Sequence, residues 1–199
     1  MSMLQSDWPT EQVDAIFFHA RSFGGDDDGL FELVEELIKE LVTDVVVING
    51  GDGSGVDPKV QAWPGKKEYS VRLGIRRARV VQSAPAVHTL EEANAFSKVA
   101  EDHGWKRAVV IAQSFQLPRI MLTHLNVMGK RNYPMRVYAA SPRSVCWSKV
   151  TNSNQGQPGM SRFEQIEQEW KRIPLYQAQG NLALEADLIE YLLRGRKAI

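Results

Sequence analysis

Short apolar runs alternate along this chain with stretches whose apolar positions recur every three or four residues. That is the pattern of parallel strands joined by amphipathic helices. Val13 to Ala20 (VDAIFFHA) reads as the first strand, followed by a turn rich in glycine and aspartate from Ser22 to Gly29. Leu30, Leu33, Val34, Leu37, Ile38 and Leu41 then predict a helix over Gly29 to Val42. Asp44 to Asn49 (DVVVIN) is the second strand, ending in Gly50-Gly51. A long loop from Asp52 to Pro64 leads to a helix near Lys66 to Leu73, closed by Gly74, and a short third strand covers Ala78 to Ser83. The next helix opens on Thr89-Leu90-Glu91-Glu92, which has the spacing of a capping box, and stops at His103-Gly104. Arg107 to Ala112 and Met135 to Ala140 are the fourth and fifth strands. In the helix between them, Pro118 falls near the first turn, where the missing amide costs no hydrogen bond.

Beyond the fifth strand the pattern changes. Thr151 to Met160 (TNSNQGQPGM) is a polar loop rich in turn formers. Ser161 and Glu164 make a second capping box, and Phe163, Ile166, Trp170 and Ile173 form a helical stripe expected to pack on the sheet. A last helix is predicted over Leu182 to Leu193.

Right-handed crossovers arrange five such strands as an open, doubly wound α/β sheet, with expected order 3-2-1-4-5 and helices on both faces. The order reverses between strands one and four, and ligands in such sheets bind in the crevice outside the carboxyl ends of the strands at that point. The turns that matter are therefore His19 to Gly29, Asn49 to Gly55, Ser83 to Thr89 and Gln113 to Arg119.

The chain has 199 residues, which suits a single domain with its own core. Its 24 basic and 24 acidic residues cancel, and the absence of a basic excess argues against a nucleic-acid partner. A polar start and the lack of a long apolar run predict no membrane partner. One cysteine, Cys146, cannot form an internal disulfide, and the expected setting is soluble and cytoplasmic. No histidine–cysteine zinc pattern or calcium loop is present, so no metal is expected.

Gly50-Gly51-Asp52-Gly53-Ser54-Gly55 is the densest run of glycines, suited to close backbone approach to an anion or ribose. It lacks the Lys-Ser/Thr of a P-loop and the third glycine of the dinucleotide fingerprint. Ser114 and Arg119 flank the start of a helix, where free amides and an arginine suit a phosphate or carboxylate; the plainer alternative is a cap plus a surface ion pair. His88, Thr89 and Glu92 form a second polar group, though capping alone would explain the latter two. His19 closes the first strand and points into crevice or core according to pleat parity. His103 and His124 read as helix-end or surface residues, Cys146 as a packed thiol, and Asp26 to Asp28 as a solvated helix start. No nucleophile elbow occurs.

Taken in order, Asn49-Gly50-Gly51, Thr89-Leu90-Glu91-Glu92-Ala93 and Ser114-Phe115-Gln116-Leu117-Pro118-Arg119 resemble the turns of the bacterial YdcF/SanA/ElyC family, a Rossmann-like domain of unknown function. The resemblance covers residues 13–140 and leaves residues 141–199 as a C-terminal loop and helices. It differs at Ser83, where the family has a carboxylate, at His88 and Glu92 for asparagines, and at Gln116 for a histidine. It implies a small anionic or nucleotide-like ligand in the crevice, S-adenosylmethionine or another nucleotide being the cofactor class. Gly50, Gly51, Thr89, Glu92, Ser114, Gln116 and Arg119 would bind it. His19 and His88 are the acid/base candidates should a transfer or hydrolysis occur. The alternative is a non-catalytic ligand sensor or interaction module on a retained scaffold.

Overall fold

Among the described residues, five parallel strands of mostly β-branched and apolar residues build a sheet in the order β3-β2-β1-β4-β5. They are β1 (Ala15–Phe18), β2 (Val45–Ile48), β3 (Arg79–Gln82), β4 (Arg107–Ile111) and β5 (Arg136–Ala140). The computed structural model describes residues 9, 11–19, 29–41, 43, 45–50, 79–86, 88–143, 145–151 and 159–197. The predicted helix over residues 66–73, the acidic run 26–28 and most of the glycine loop lie outside these residues.

β1 sits at the centre, with Ile16 opposite both Val46 and Val109, and all four of its residues are buried. A strand turns alternate side chains to opposite faces. Ala15 and Phe17 therefore enter one core with Val47, Val110 and Val137, while Ile16 and Phe18 enter another with Val46, Ile48 and Val109. Helix α1 (Leu30–Leu41) covers the second face through Leu30, Leu33, Val34 and Leu37. Helices α2 (Thr89–His103) and α3 (Leu117–Arg131) cover the first through Phe96, Ala100, Ile120 and Met121. This split follows from handedness: crossovers that move outward from β1 and those that return past it place their helices on opposite faces.

The predicted helix ends match their chemistry. Gly104 takes a left-handed φ of 68° and its amide closes α2 on Ala100 and Glu101. Pro118 stands in the first turn of α3.

The C-terminal part carries a small antiparallel pair, β6 (Val150–Thr151) with β7 (Met160–Ser161), then α4 (Arg162–Ala178) and α5 (Glu185–Lys197). Ser161 and Glu164 form the expected reciprocal cap of α4. The stripe expected to pack on the sheet does not do so as a whole. Phe163 is 70% and Trp170 52% exposed, while Arg162, Gln165 and Glu169 are buried beside Ile173. Helix α4 is held by polar contacts, described below, which override the apolar periodicity. Helix α5 completes the first-face core with Leu188 and Leu192. Among the described residues no helix is long and apolar enough to cross a membrane.

Candidate functional site

Each strand hands a polar or small residue to the carboxyl edge of the sheet: His19 after β1, Asn49 and Gly50 after β2, Ser83 after β3, Ser114 beyond β4 and Ser141 after β5. All six are buried. The amide of His19 bonds the carbonyl of Ile111, so β1 and β4 stay paired to the point where the strand order reverses.

Pleat parity settles where His19 points. It continues the Ala15–Phe17 series, and its ring lies 4.6 Å from that of Phe17 on the α2–α3 face. There its Nδ1 is 3.1 Å from Oε2 of Glu92, one turn into α2. Its Nε2 is 3.0 Å from Nε2 of His124, on α3. Phe17 and Phe96 stack at 4.4 Å, and His124 stands edge-on to both. A carboxylate can only accept, so Nδ1 of His19 carries a hydrogen. When His19 is neutral its Nε2 is then an acceptor, and Nε2 of His124 must donate to it. Burial, and secondarily the neighbouring His19, hold the His124 imidazole well below its usual pKa, which keeps it neutral. Nδ1 of His124 is left without a partner.

Next to this chain, Asn49 ties β2 to the approach of α2. Its amide donates to the carbonyl of Ala86 at 2.7 Å and to Oε1 of Glu92 at 3.4 Å, and its carbonyl accepts from the Ala86 amide at 2.9 Å. Gly50 is required by close packing. A Cβ there would lie 1.6 Å from the carbonyl oxygen of Ser83, inside its van der Waals radius. Ser83, in turn, donates from its hydroxyl to the Ile48 carbonyl at 3.2 Å.

A second polar cluster joins the same two helices to α4. Arg119 is buried, and its Nε and Nη2 grip the carboxylate of Glu169 while Nη1 donates to the Thr89 hydroxyl at 2.8 Å. Glu169 also accepts from Nη1 of Arg172 at 2.8 Å. Beside the cluster lies a partly open cavity of about 290 Å³ bounded by His88, Thr89, Leu90, Arg119, Thr123, Tyr176, Gln179, Asn181 and Leu182. The Thr89 hydroxyl accepts from Arg119, so its own hydrogen remains to be donated. The amino end of α2 adds the positive end of its dipole, although the Glu91 amide of its first turn is already taken by His88.

Of the residues expected to form the site, His88, Thr89 and Arg119 line one cavity, while His19 and Glu92 meet inside the protein. Several expectations change. Arg119 is not free to clamp a ligand carboxylate, because Glu169 already does so from within the chain. Thr89 and Glu92 do not form the capping box: His88 is the cap, accepting from the Glu91 amide at 3.3 Å, and both other side chains turn inward. Ser114 is buried with no partner for its hydroxyl, and Gln116 is half-buried at the start of α3 without a side-chain cap bond. Gly51 lies outside the described residues. His103 ends α2 as expected. His124, read as peripheral, is fully buried. Its position three residues after Met121 and four before Met128 puts it in the inward stripe of α3, a signal that the helical period carried. Cys146 is exposed rather than packed, and the Ser148 hydroxyl draws its thiol below the usual pKa. No local spacing points to Glu169, because its partner Arg119 lies 50 residues away. Among the described residues no group of three or more His, Cys, Asp or Glu is placed to hold a metal ion.

No protein-family model matches the chain, and no curated protein sequence matches it.

Proposed function

We propose that this protein binds a small anionic or nucleotide-like molecule in the cavity at the amino end of α2, on the carboxyl side of the sheet. The observation that carries this reading is the roughly 290 Å³ of space bounded by His88, Thr89 and Arg119. Those three residues come from two different turns of the doubly wound sheet, the region where such folds take ligands. A volume near the lower end of small-molecule pockets suits a phosphate, a sugar phosphate or one end of a nucleotide. Within a largely apolar lining that includes Leu90, Tyr176 and Leu182, the Thr89 hydroxyl and the positive end of α2 are the groups that favour an anion.

The ordered turn motifs support placing the chain near the YdcF/SanA/ElyC family, for which a nucleotide-type ligand such as S-adenosylmethionine is the implied class. Binding without chemistry is the reading that the histidines favour. Both ring nitrogens of His19 are committed inside the protein, so it does not face the cavity as a free base. If a transfer or hydrolysis takes place, the exposed Nε2 of His88 at the rim, 3.4 Å from Oε1 of Glu91, is the atom left to exchange a proton with a ligand, since Nδ1 caps the Glu91 amide.

The test is a thermal-shift screen with nucleotides, S-adenosylmethionine, sugar phosphates and inorganic phosphate, on the wild type and on Thr89→Val. A shift with one of these that Thr89→Val abolishes supports the assignment. Absence of any shift, or one that Thr89→Val leaves intact, overturns it.

A further inference from the structure

The cavity beside Thr89 has two walls of different origin. Thr89 and Leu90 open α2, whereas Tyr176, Gln179, Asn181 and Leu182 come from the end of α4 and the turn into α5. That turn is a Schellman closure. Gly180 takes a left-handed φ of 70° and its amide bonds the Gln177 carbonyl at 2.8 Å, while the Asn181 amide reaches back to the Tyr176 carbonyl at 2.9 Å. The fold-back sets Asn181 beside Tyr176, and Nδ2 of Asn181 donates to Oε1 of Gln179 at 3.1 Å. An apolar contact back onto the helix frequently accompanies such a closure at the position Asn181 occupies. Here that position holds a carboxamide bordering the cavity.

The turn is also fastened to α3. Nδ2 of Asn126 donates to the Gly180 carbonyl at 3.2 Å, and the Ala183 amide bonds the Leu122 carbonyl at 3.0 Å. The wall is therefore set before a ligand arrives, which lowers the ordering cost of binding.

One bond between two carboxamides leaves groups over. Among the described residues, Nε2 of Gln179 and Oδ1 of Asn181 have no protein partner. Turning both amides over exchanges their roles and leaves the same result, an NH2 on one residue and a carbonyl on the other. Tyr176 is partly buried against the first-face core. Leu182 adds apolar surface to the same wall. No carboxylate lines the cavity, and its one guanidinium, Arg119, is held by Glu169. Away from Thr89 and the end of α2, the cavity thus offers an aromatic ring, aliphatic surface and a neutral donor–acceptor pair.

We propose that this wall holds the heterocyclic base of a nucleoside or nucleotide, its ring against Tyr176 and its edge against the amides of Gln179 and Asn181. Every nucleobase has an edge on which a donor adjoins an acceptor, and every base has a face that stacks on an aromatic ring. The sugar and any phosphate then extend toward Thr89. The inference rests on the reading of this cavity as the ligand site and names the part of the ligand that the α4–α5 turn recognises.

The experiment is isothermal titration of the full chain with adenosine, cytidine, guanosine and uridine and, in a second arm, with ribose 5-phosphate, which lacks a base. It is run on the wild type, Tyr176→Leu, Tyr176→Phe, Thr89→Val and the double variant Gln179→Ala/Asn181→Ala. At least one nucleoside should bind, with affinity about tenfold or more weaker in Tyr176→Leu and in the double variant, and mostly retained in Tyr176→Phe, since stacking needs the ring and not the hydroxyl. Where Tyr176→Leu fails to fold, the double variant at the surface turn decides. Nucleosides that fail to bind while ribose 5-phosphate binds through Thr89 overturn the base site and leave the cavity reading intact. Nucleoside binding that needs the amide pair and Tyr176 but ignores Thr89→Val upholds the base site and removes the anion reading. No binding in either arm overturns both. Nucleoside binding that survives Tyr176→Leu and the double variant overturns the base site.

Discussion

His19 and His124 meet Nε2 to Nε2 at 3.0 Å in the interior of the protein. Only one of the two facing nitrogens can carry a hydrogen at that distance. Two imidazolium charges so close would repel by about 5 kcal/mol at an effective dielectric near 20. The pair is thus confined to states in which at least one ring is neutral, and burial makes His124 that ring.

This arrangement sets a pH dependence. The folded pKa of His124 is depressed, so below the ordinary histidine value of about 6.5 the unfolded chain takes up a proton that the folded chain refuses. The stability contribution is complete above that value and is lost as pH falls toward the folded pKa. Denaturant unfolding between pH 8 and pH 5 should show a plateau above about pH 7, then a decline of up to about 1.4 kcal/mol per pH unit. His124→Gln, which keeps a donor toward His19, should flatten the decline; an unchanged slope in that variant would assign it to other groups.

The buried pair of Arg119 and Glu169 should behave asymmetrically. Glu169→Ala strands a guanidinium that is 4% exposed, at an expected cost of about 3–5 kcal/mol in urea unfolding. Removing both charges with Arg119→Met/Glu169→Leu should recover most of that loss, because the desolvation of an unpaired ion disappears. A double variant as unstable as the single one would show that the pair does more than compensate its own charges.

Two glycines should respond with opposite signs to the same methyl group. Gly50→Ala drives a Cβ into the Ser83 carbonyl and forces β2 and β3 apart at their ends, with a loss on the order of 3 kcal/mol. Gly129, inside α3, has nothing within 4 Å of a built Cβ, so Gly129→Ala should gain about 0.5–1 kcal/mol from helix propensity alone. Melting temperatures of the two variants check both.

On α4 the apolar residues should not be equivalent. Ile173 is 1% exposed and Ile173→Ala should cost about 2–5 kcal/mol. Phe163, at 70% exposure, should tolerate serine within about 0.5 kcal/mol. Equal losses at the two positions would mean that the stripe packs as the helical period predicts.

The solvent-exposed thiol of Cys146 should react with a thiol reagent in the native protein, without denaturant, at one equivalent per chain. A thiol that reacts only after unfolding would restore the packed reading.

Local patterns sufficed for the scaffold. Period-two and period-3.6 apolar spacing, Gly104 and Pro118 at helix ends, and the handedness of crossovers together predict a doubly wound parallel sheet, since each depends on neighbours within a few residues or on a general rule of chain geometry. The order β3-β2-β1-β4-β5 is the arrangement expected among those the rule allows, and the stacked layers show it. They also locate the carboxyl edge, and with it His19, Gly50, Thr89, Glu92, Ser114 and Arg119.

Partnership is a different kind of fact. His19 finds Glu92 73 residues away and His124 105 residues away, and Arg119 finds Glu169 at a separation of 50. Nothing in local spacing encodes such pairs, because they depend on which helix faces which strand end once the layers are stacked. The same cause turned Thr89 and Glu92 from caps into interior groups, and it turned α4 so that its polar side faces the protein. A buried charge or hydrogen bond outweighs an exposed phenylalanine, and only the assembled layers bring the partners of those charges within reach.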